Sequence, residues 1–378
     1  TVYQETGFDV NEAKLMKRIL LAAITTFLSS GLLAQSAATC TAMLNAQLPG
    51  INMQITAANH YADKTVQGGT FAPAVTLPFH CHIEGEIDRR TGSDGKSYAL
   101  RFAINMPDDW NGRFLFQGGG GLDGSLAEPT GSQAVGGASA LSRSFAVVST
   151  DSGHQGQGPF DGSFMADQEA ALNFFFLGNM RVALAAKPLV QAYYSKDITK
   201  SYFVGCSTGG REGMIMGQRY PYLFDGIVTG APAIRTGLSN LALRWMSVQL
   251  NQAAPKDDTG KPLPGGTFSK PEQQVIIAGL MKACDALDGA ADGLLFNTTA
   301  CNFDPRSLAC PAGQSEGCIS MAKAEALVKA VAGPVDSRGV QVYSEFLLDA
   351  GNDDIGFIPG ILSGGNPPVG PPVAAMMS

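Results

Sequence analysis

Short apolar runs alternate with glycine-rich turns and longer stretches of helical spacing from about residue 39 to residue 233. Ser97 to Ile104 alternates in strand fashion, while Arg113–Phe116, Phe145–Ser149, Tyr202–Val204 and Gly226–Gly230 read as short, largely apolar strands. Between them, Ala166 to Tyr194 carries apolar residues at helical spacing, and a second helical pattern starts after residue 207 and stops before Pro221. Strands interleaved with helices predict an α/β fold whose ligands sit at the carboxyl ends of the strands. Beyond Ala231-Pro232 the pattern changes to helices, Lys270–Leu287 and Ser320–Val331, joined by loops rich in Cys, Asp and Pro. Residues 39–233 therefore read as a core and 234–378 as an inserted region that caps the sheet.

One junction in this pattern carries chemistry. The strand Tyr202–Val204 runs into Gly205-Cys206-Ser207-Thr208-Gly209, and a helix follows at once. Strand, tight glycine-flanked turn and helix are the setting of a nucleophile elbow, which exposes Ser207 and turns the Thr208 amide toward an oxyanion. A structural turn is the plainer reading, since Gly-x-Ser-x-Gly also arises by chance. The loop Gln117–Gly121 follows another buried strand, and its glycines let backbone amides approach a developing charge; the Gly119 amide is the second expected oxyanion donor. No Lys-Ser or Lys-Thr follows in the spacing of a phosphate loop. In this kind of site the acid and histidine follow the nucleophile, yet His60, His80, His82 and His154 all precede Ser207. Either one of them serves from an unusual position or the chain stops before its base. His154 reads as structural or substrate-adjacent, the other three as ordinary polar positions.

Composition narrows the classes. The 378 residues, 45% hydrophobic and 16% charged with a net charge of -7, suit a large globular core and argue against nucleic-acid binding. Met16-Lys17-Arg18, the apolar run Ile19–Leu33 and the small residues up to Ala38 form the three regions of a secretory leader, too short to span a bilayer. Residues 1–15 then read as upstream translation. A secreted or periplasmic protein is expected, with no membrane attachment once the leader is cleaved. The Pro/Gly-rich stretch from Gly364 finishes no element, in keeping with a chain that stops early. Export makes Asn297-Thr298-Thr299 an incidental sequon in a bacterial-type protein, and it makes seven cysteines read as disulfides with one thiol left over. No Cys-x-x-Cys spacing supports zinc. Asp285, Asp288 and Asp292 lie among glycines in a tight acidic loop, which on spacing alone is a solvated turn rather than an EF-hand.

Gly205–Gly213, Phe224–Pro232, Met106-Pro107 with Trp110–Phe114, Gly118–Gly121 and Cys284–Gly289 together resemble the tannase and feruloyl esterase family of α/β-hydrolases, over roughly residues 40–350. The resemblance implies a serine carboxylic ester hydrolase acting on esters of aromatic acids, with a lid domain. It implies Ser207 as nucleophile, Gly119 and Thr208 as oxyanion donors, and an Asp and His beyond the end of this sequence. It implies the disulfides Cys40–Cys81, Cys284–Cys301 and Cys310–Cys318, with Cys206 left without its partner. It also converts the acidic loop into a structural calcium site formed by Asp285, Asp288 and Asp292 with the carbonyls of Ala290 and Leu294; no organic cofactor is implied. A calcium-stabilised binding protein without a triad, or an acyltransferase on the same elbow, are the alternatives, and a chain without the histidine is expected to be inactive or weak.

Overall fold

The computed structural model describes residues 37–348, apart from 63, 67–74, 133–137 and 264–266. The expected upstream segment, nearly all of the expected leader and the stretch from 349 on lie outside the described residues. The chain divides into two compact units, Thr1–Ile234 and Arg235–Ser378.

The first unit is built on a seven-stranded sheet. Its strands are β1 (Met53–Tyr61), β4 (His80–Thr91), β5 (Ser97–Pro107), β6 (Arg113–Gln117), β7 (Ala146–Thr150), β8 (Lys200–Cys206) and β9 (Gly226–Gly230), in the order β1-β4-β5-β7-β6-β8-β9; β2 (Lys64–Val66) and β3 (Val75–Leu77) form a separate hairpin. The pairs from β1 to β7 are antiparallel, and those joining β7, β6, β8 and β9 are parallel. The parallel strands β6 and β7 are buried at nearly every position, as expected where helices cover both faces. Phe102, Phe114, Phe116 and Phe203 fill the core with Val182 and Leu189. The expected single helix over Ala166–Tyr194 is instead α1 (Gln168–Leu172), a π turn at Asn173–Leu177 and α2 (Gly178–Tyr194). Asp167 caps α1 by accepting the Ala170 N–H at 2.9 Å. Helix α3 (Thr208–Arg219) follows β8 directly. Cys40–Cys81 ties the start of the described chain to β4.

The second unit holds α4 (Thr236–Gln252), α5 (Lys270–Cys284) and α6 (Met321–Val331). Met246, Leu250, Phe268, Ile276, Leu280, Ile319 and Leu327 form its core. Two disulfides, Cys284–Cys301 and Cys310–Cys318, staple its loops. No helix among the described residues is long and apolar enough to cross a membrane.

Candidate active site

Strand β8 delivers the chain into a turn so tight that Ser207, a residue with a side chain, adopts φ 58° and ψ -118°. Positive φ costs a non-glycine residue free energy, and such strain is held where the surroundings enforce it. Here the enforcement is visible. A side chain on Gly205 would sit 2.4 Å from the backbone of Gly209, and one on Gly209 would sit 2.9 Å from the Gly119 carbonyl. Glycine at both positions lets β8, the start of α3 and the Gly118–Gly121 loop close on one another. The Ser207 N–H donates to the Gly230 carbonyl at 3.0 Å, and the Ser207 carbonyl accepts from Arg211 and Ala233. The turn is fixed from both sides, and Ser207 stands exposed at its tip with Cys206 beside it. Cys206 is a free thiol.

Thr208 opens α3, so its N–H has no acceptor within the helix and remains available beside Ser207. Its hydroxyl donates to the Gly121 carbonyl, and the Gly209 N–H donates to the Gly119 carbonyl at 3.0 Å. These bonds stitch the glycine loop to the elbow, bringing together the two segments that the sequence singles out. The Gly119 amide departs from expectation: it donates to the Glu212 carboxylate at 3.0 Å, which removes it as a free donor toward Ser207. A buried anion takes the amide, and sequence spacing did not reveal it.

None of the four histidines is engaged with Ser207. His60 bonds Asp108 at 2.9 Å, His80 the Pro78 carbonyl at 2.7 Å, and His82 lies between Asn105 and Glu84. His80 and His82, read from the sequence as ordinary polar positions, are buried in β4. His154 is buried against Phe164, ring centroids 3.7 Å apart, with Nε2 at the Leu122 carbonyl. Burial pushes its pKa down to about 4, so it is a neutral core residue, in keeping with the structural reading.

The family model for tannase and feruloyl esterase matches residues 81–355. The chain belongs to the tannase and feruloyl esterase family. It is 39% identical over 301 residues to the mono(2-hydroxyethyl) terephthalate hydrolase of Piscinibacter sakaiensis, covering 74% of this chain and 50% of that protein. It is 29% identical over 278 residues to a probable feruloyl esterase of Arthroderma benhamiae, covering 71% of this chain and 48% of that one. The chain thus spans about half the length of the curated relatives it matches. Feruloyl esterase B from Aspergillus oryzae shares the fold, with a TM-score of 0.65 at 24% identity over 82% of this chain and 59% of that chain. Within this family, then, the sheet and elbow described above are an α/β-hydrolase core.

The acidic loop lies in the second unit. Asp285 accepts the Gly293 N–H at 3.0 Å, Asp288 the N–H groups of Ala290 and Phe296 at 3.1 and 3.0 Å, and Asp292 the Leu294 N–H at 3.2 Å. Those backbone bonds hold the Asp288 pKa below the ordinary carboxylate value. Carboxylate and carbonyl oxygens are the donors calcium takes. As placed, however, the carboxylates turn to backbone amides, and among the described residues no group of three or more His, Cys, Asp or Glu is gathered to hold a metal.

The sequence missed three site residues, Asp123, Ser152 and Glu212, which meet beneath the glycine loop. Glu212 lies one helical turn beyond Thr208, in a first helical segment otherwise of small residues and Arg211, and that is the one signal the sequence offered.

Proposed function

We propose that this chain carries the nucleophile and glycine-loop half of an exported serine carboxylic ester hydrolase for esters of hydroxybenzoic, hydroxycinnamic or terephthalic acids. The carrying observation is Ser207, exposed at a strained turn with the Thr208 amide at the start of the following helix beside it. In this reading the Ser207 Oγ attacks the ester carbonyl carbon, the carbonyl oxygen takes negative charge facing the Thr208 N–H, and the bond to the alcohol breaks as the alcohol leaves with a proton. Water then attacks the acyl-serine and frees the acid. Both steps need a base, and no described histidine reaches Ser207. Catalysis by the 378-residue chain therefore rests on the elbow and binding alone, which in triad enzymes leaves only a small part of the rate.

Incubation with an activated ester of ferulic acid tests the assignment by intact mass. One acyl group should accumulate on Ser207, because deacylation lacks its base as much as acylation does, and added imidazole should speed its release. A Ser207→Ala chain that becomes acylated to the same extent would refute the nucleophile.

The relatives' aromatic esters support the substrate class, and paired cysteines support export. Calcium belongs to the proposal as a structural ion held by Asp285, Asp288 and Asp292 with the Ala290 and Leu294 carbonyls. An ion bound only by the folded loop raises Tm by mass action. Tm should rise with calcium and fall with chelator, and Asp288→Ala should abolish the difference; a Tm indifferent to calcium rejects the site.

A further inference from the structure

Beneath the glycine loop two carboxyl groups meet away from water. Asp123 is 5% exposed and Glu212 3%. The Ser152 hydroxyl lies against Asp123 Oδ2 and 3.4 Å from Glu212 Oε1, so a single donor is stretched between two acids. Glu212 Oε2 takes the Gly119 N–H at 3.0 Å. Asp123 Oδ1 is buried with no donor of its own. Two buried anions in contact repel strongly and each pays a desolvation cost; one proton between them removes the repulsion and supplies the bond that Oδ1 lacks.

No nearby cation removes the need for that proton. The Arg211 guanidinium, on the same helix as Glu212, spends its N–H groups on the carbonyls of Phe174 and Phe175 and lies over the Phe174 ring. Asp151, at the end of β7, is matched by Arg101. His154 is neutral at ordinary pH and bonded to Leu122. The Asp123 carboxyl accordingly stands well above the ordinary carboxylate range, through burial first and then the neighbouring Glu212 charge.

We propose that Asp123 and Glu212 share one proton and act as positioning residues, latching the Gly118–Gly121 loop onto the helix that begins beside Ser207. Asp123 donates the shared proton to Glu212, and Glu212 in turn accepts from Gly119. The loop is packed tightly on this pair, since a side chain at Gly119 would sit 2.5 Å from an Asp123 oxygen. The latch thereby sets where the loop stands next to the nucleophile. Its place in catalysis rests on the esterase reading above; the proton itself does not.

The sign of its pH dependence follows from linkage. The folded chain keeps a proton that the unfolded chain gives up in the ordinary carboxyl range. Stability therefore falls as pH rises above that range and levels off only past the raised folded value.

Infrared spectroscopy of the 378-residue chain reads the proton without turnover. At neutral pH the wild type minus Asp123→Asn difference should show a protonated-carboxyl C=O band, bleached as pH rises. Asp123→Asn should also flatten the fall in Tm as pH rises above the ordinary carboxyl range. Hydrogen exchange at Gly119 reads the latch: the amide should stay protected in Glu212→Gln, whose amide oxygen still accepts, and lose protection in Glu212→Ala. Should the alanine chain fail to fold, the infrared band and the Gln and Asn variants still decide. Absence of the band, or a Gly119 amide equally protected in Glu212→Ala, overturns the proposal. Acylation of Ser207 should decline on the alkaline side in wild type more than in Asp123→Asn. If Ser207 takes no acyl group at all, the esterase reading falls while the band still judges the pair.

Discussion

The two units of this chain are stabilised by opposite means. Unit 1 encloses His80, His82, Asp123, Asp151, His154, Asp167 and Glu212 in its interior, whereas among the described residues of unit 2 the buried polar ones are Asn251, Thr267 and Gln273, none of which titrates. Unit 1 can accommodate buried ionisable groups because a seven-stranded sheet and a large apolar core surround them. Among its described residues unit 2 has three α-helices around a smaller core, and it closes two of its loops with disulfides spanning 17 and 8 residues. Small cores bury too little surface to offset chain entropy unaided, and cross-links reduce the entropy of the unfolded chain. The difference teaches that unit 1 should answer to pH and unit 2 to reduction.

The largest expected effect breaks the comparison on the redox side. Cys301 and Cys310 are each only partly buried, while Cys40 and Cys81 are fully enclosed. Mild reductant should therefore open Cys284–Cys301 and Cys310–Cys318 first and leave Cys40–Cys81 intact, with Cys206 the one thiol that reacts beforehand. Loss of Cys284–Cys301 should cost unit 2 about 3 kcal/mol, the entropy of a loop of this size. Alkylation of freed thiols, peptide mapping and urea unfolding check the order and the cost. Release of Cys40 and Cys81 ahead of the others would show that burial does not govern access here.

The next effect sharpens the pH side. His154 has its pKa pushed down to about 4 by burial, so below the ordinary histidine value the unfolded chain takes a proton that the folded chain refuses. The His154 contribution to the stability of unit 1 should thus fall as pH drops from about 6.5 toward 4, by about 2 kcal/mol at pH 5, against the opposite contribution of the Asp123 proton over the same range. His154→Gln should flatten that fall, whatever it does to stability at pH 7. Denaturant midpoints at pH 7, 6 and 5 for both chains make the test. An equal acid slope in the variant would assign the loss to another group.

How much of this was legible beforehand depended on which signal each residue left. The strands at Arg113, Phe145 and Tyr202 announced themselves because buried parallel strands are short apolar runs bounded by turns, the antiparallel strand at Ser97 by its alternation, and the half-exposed strand at Gly226 by its apolar run between glycines. Strand β4 did not: His80, His82, Glu84, Glu86 and Asp88 interrupt its apolar positions, and its pairing with β1 and β5 overrides that polarity. The π turn at Asn173–Leu177 was likewise hidden, since Phe174, Phe175 and Phe176 look helical in spacing. At the site, Ser207 and Thr208 were legible because glycine spacing reports a backbone constraint. The Glu212–Gly119 bond was not, because it joins residues 93 positions apart and only the folded loop brings them together.

The smallest expected effect asks whether unit 2 uses charge at all. Glu272 accepts the Ser269 N–H at 2.8 Å at the start of α5, and both its oxygens lie 2.8 Å from Lys323 Nζ on α6. About a fifth of each side chain remains exposed, so the pair is neither a surface ion pair nor a buried one. Two roles are therefore combined in one carboxylate, helix capping and helix-to-helix tethering. Glu272→Gln keeps an oxygen for the Ser269 N–H but gives up the charge facing Lys323; Glu272→Ala gives up both. Capping contributes about 1 kcal/mol and partly solvated ion pairs generally less. If unit 2 relies on apolar packing and cross-links, Glu272→Gln should lower its stability by less than half of what Glu272→Ala does, as read from urea midpoints at low and high salt. Equal losses in the two variants, both shrinking with added salt, would mean that the ion pair outweighs the cap and that charge stabilises unit 2 after all.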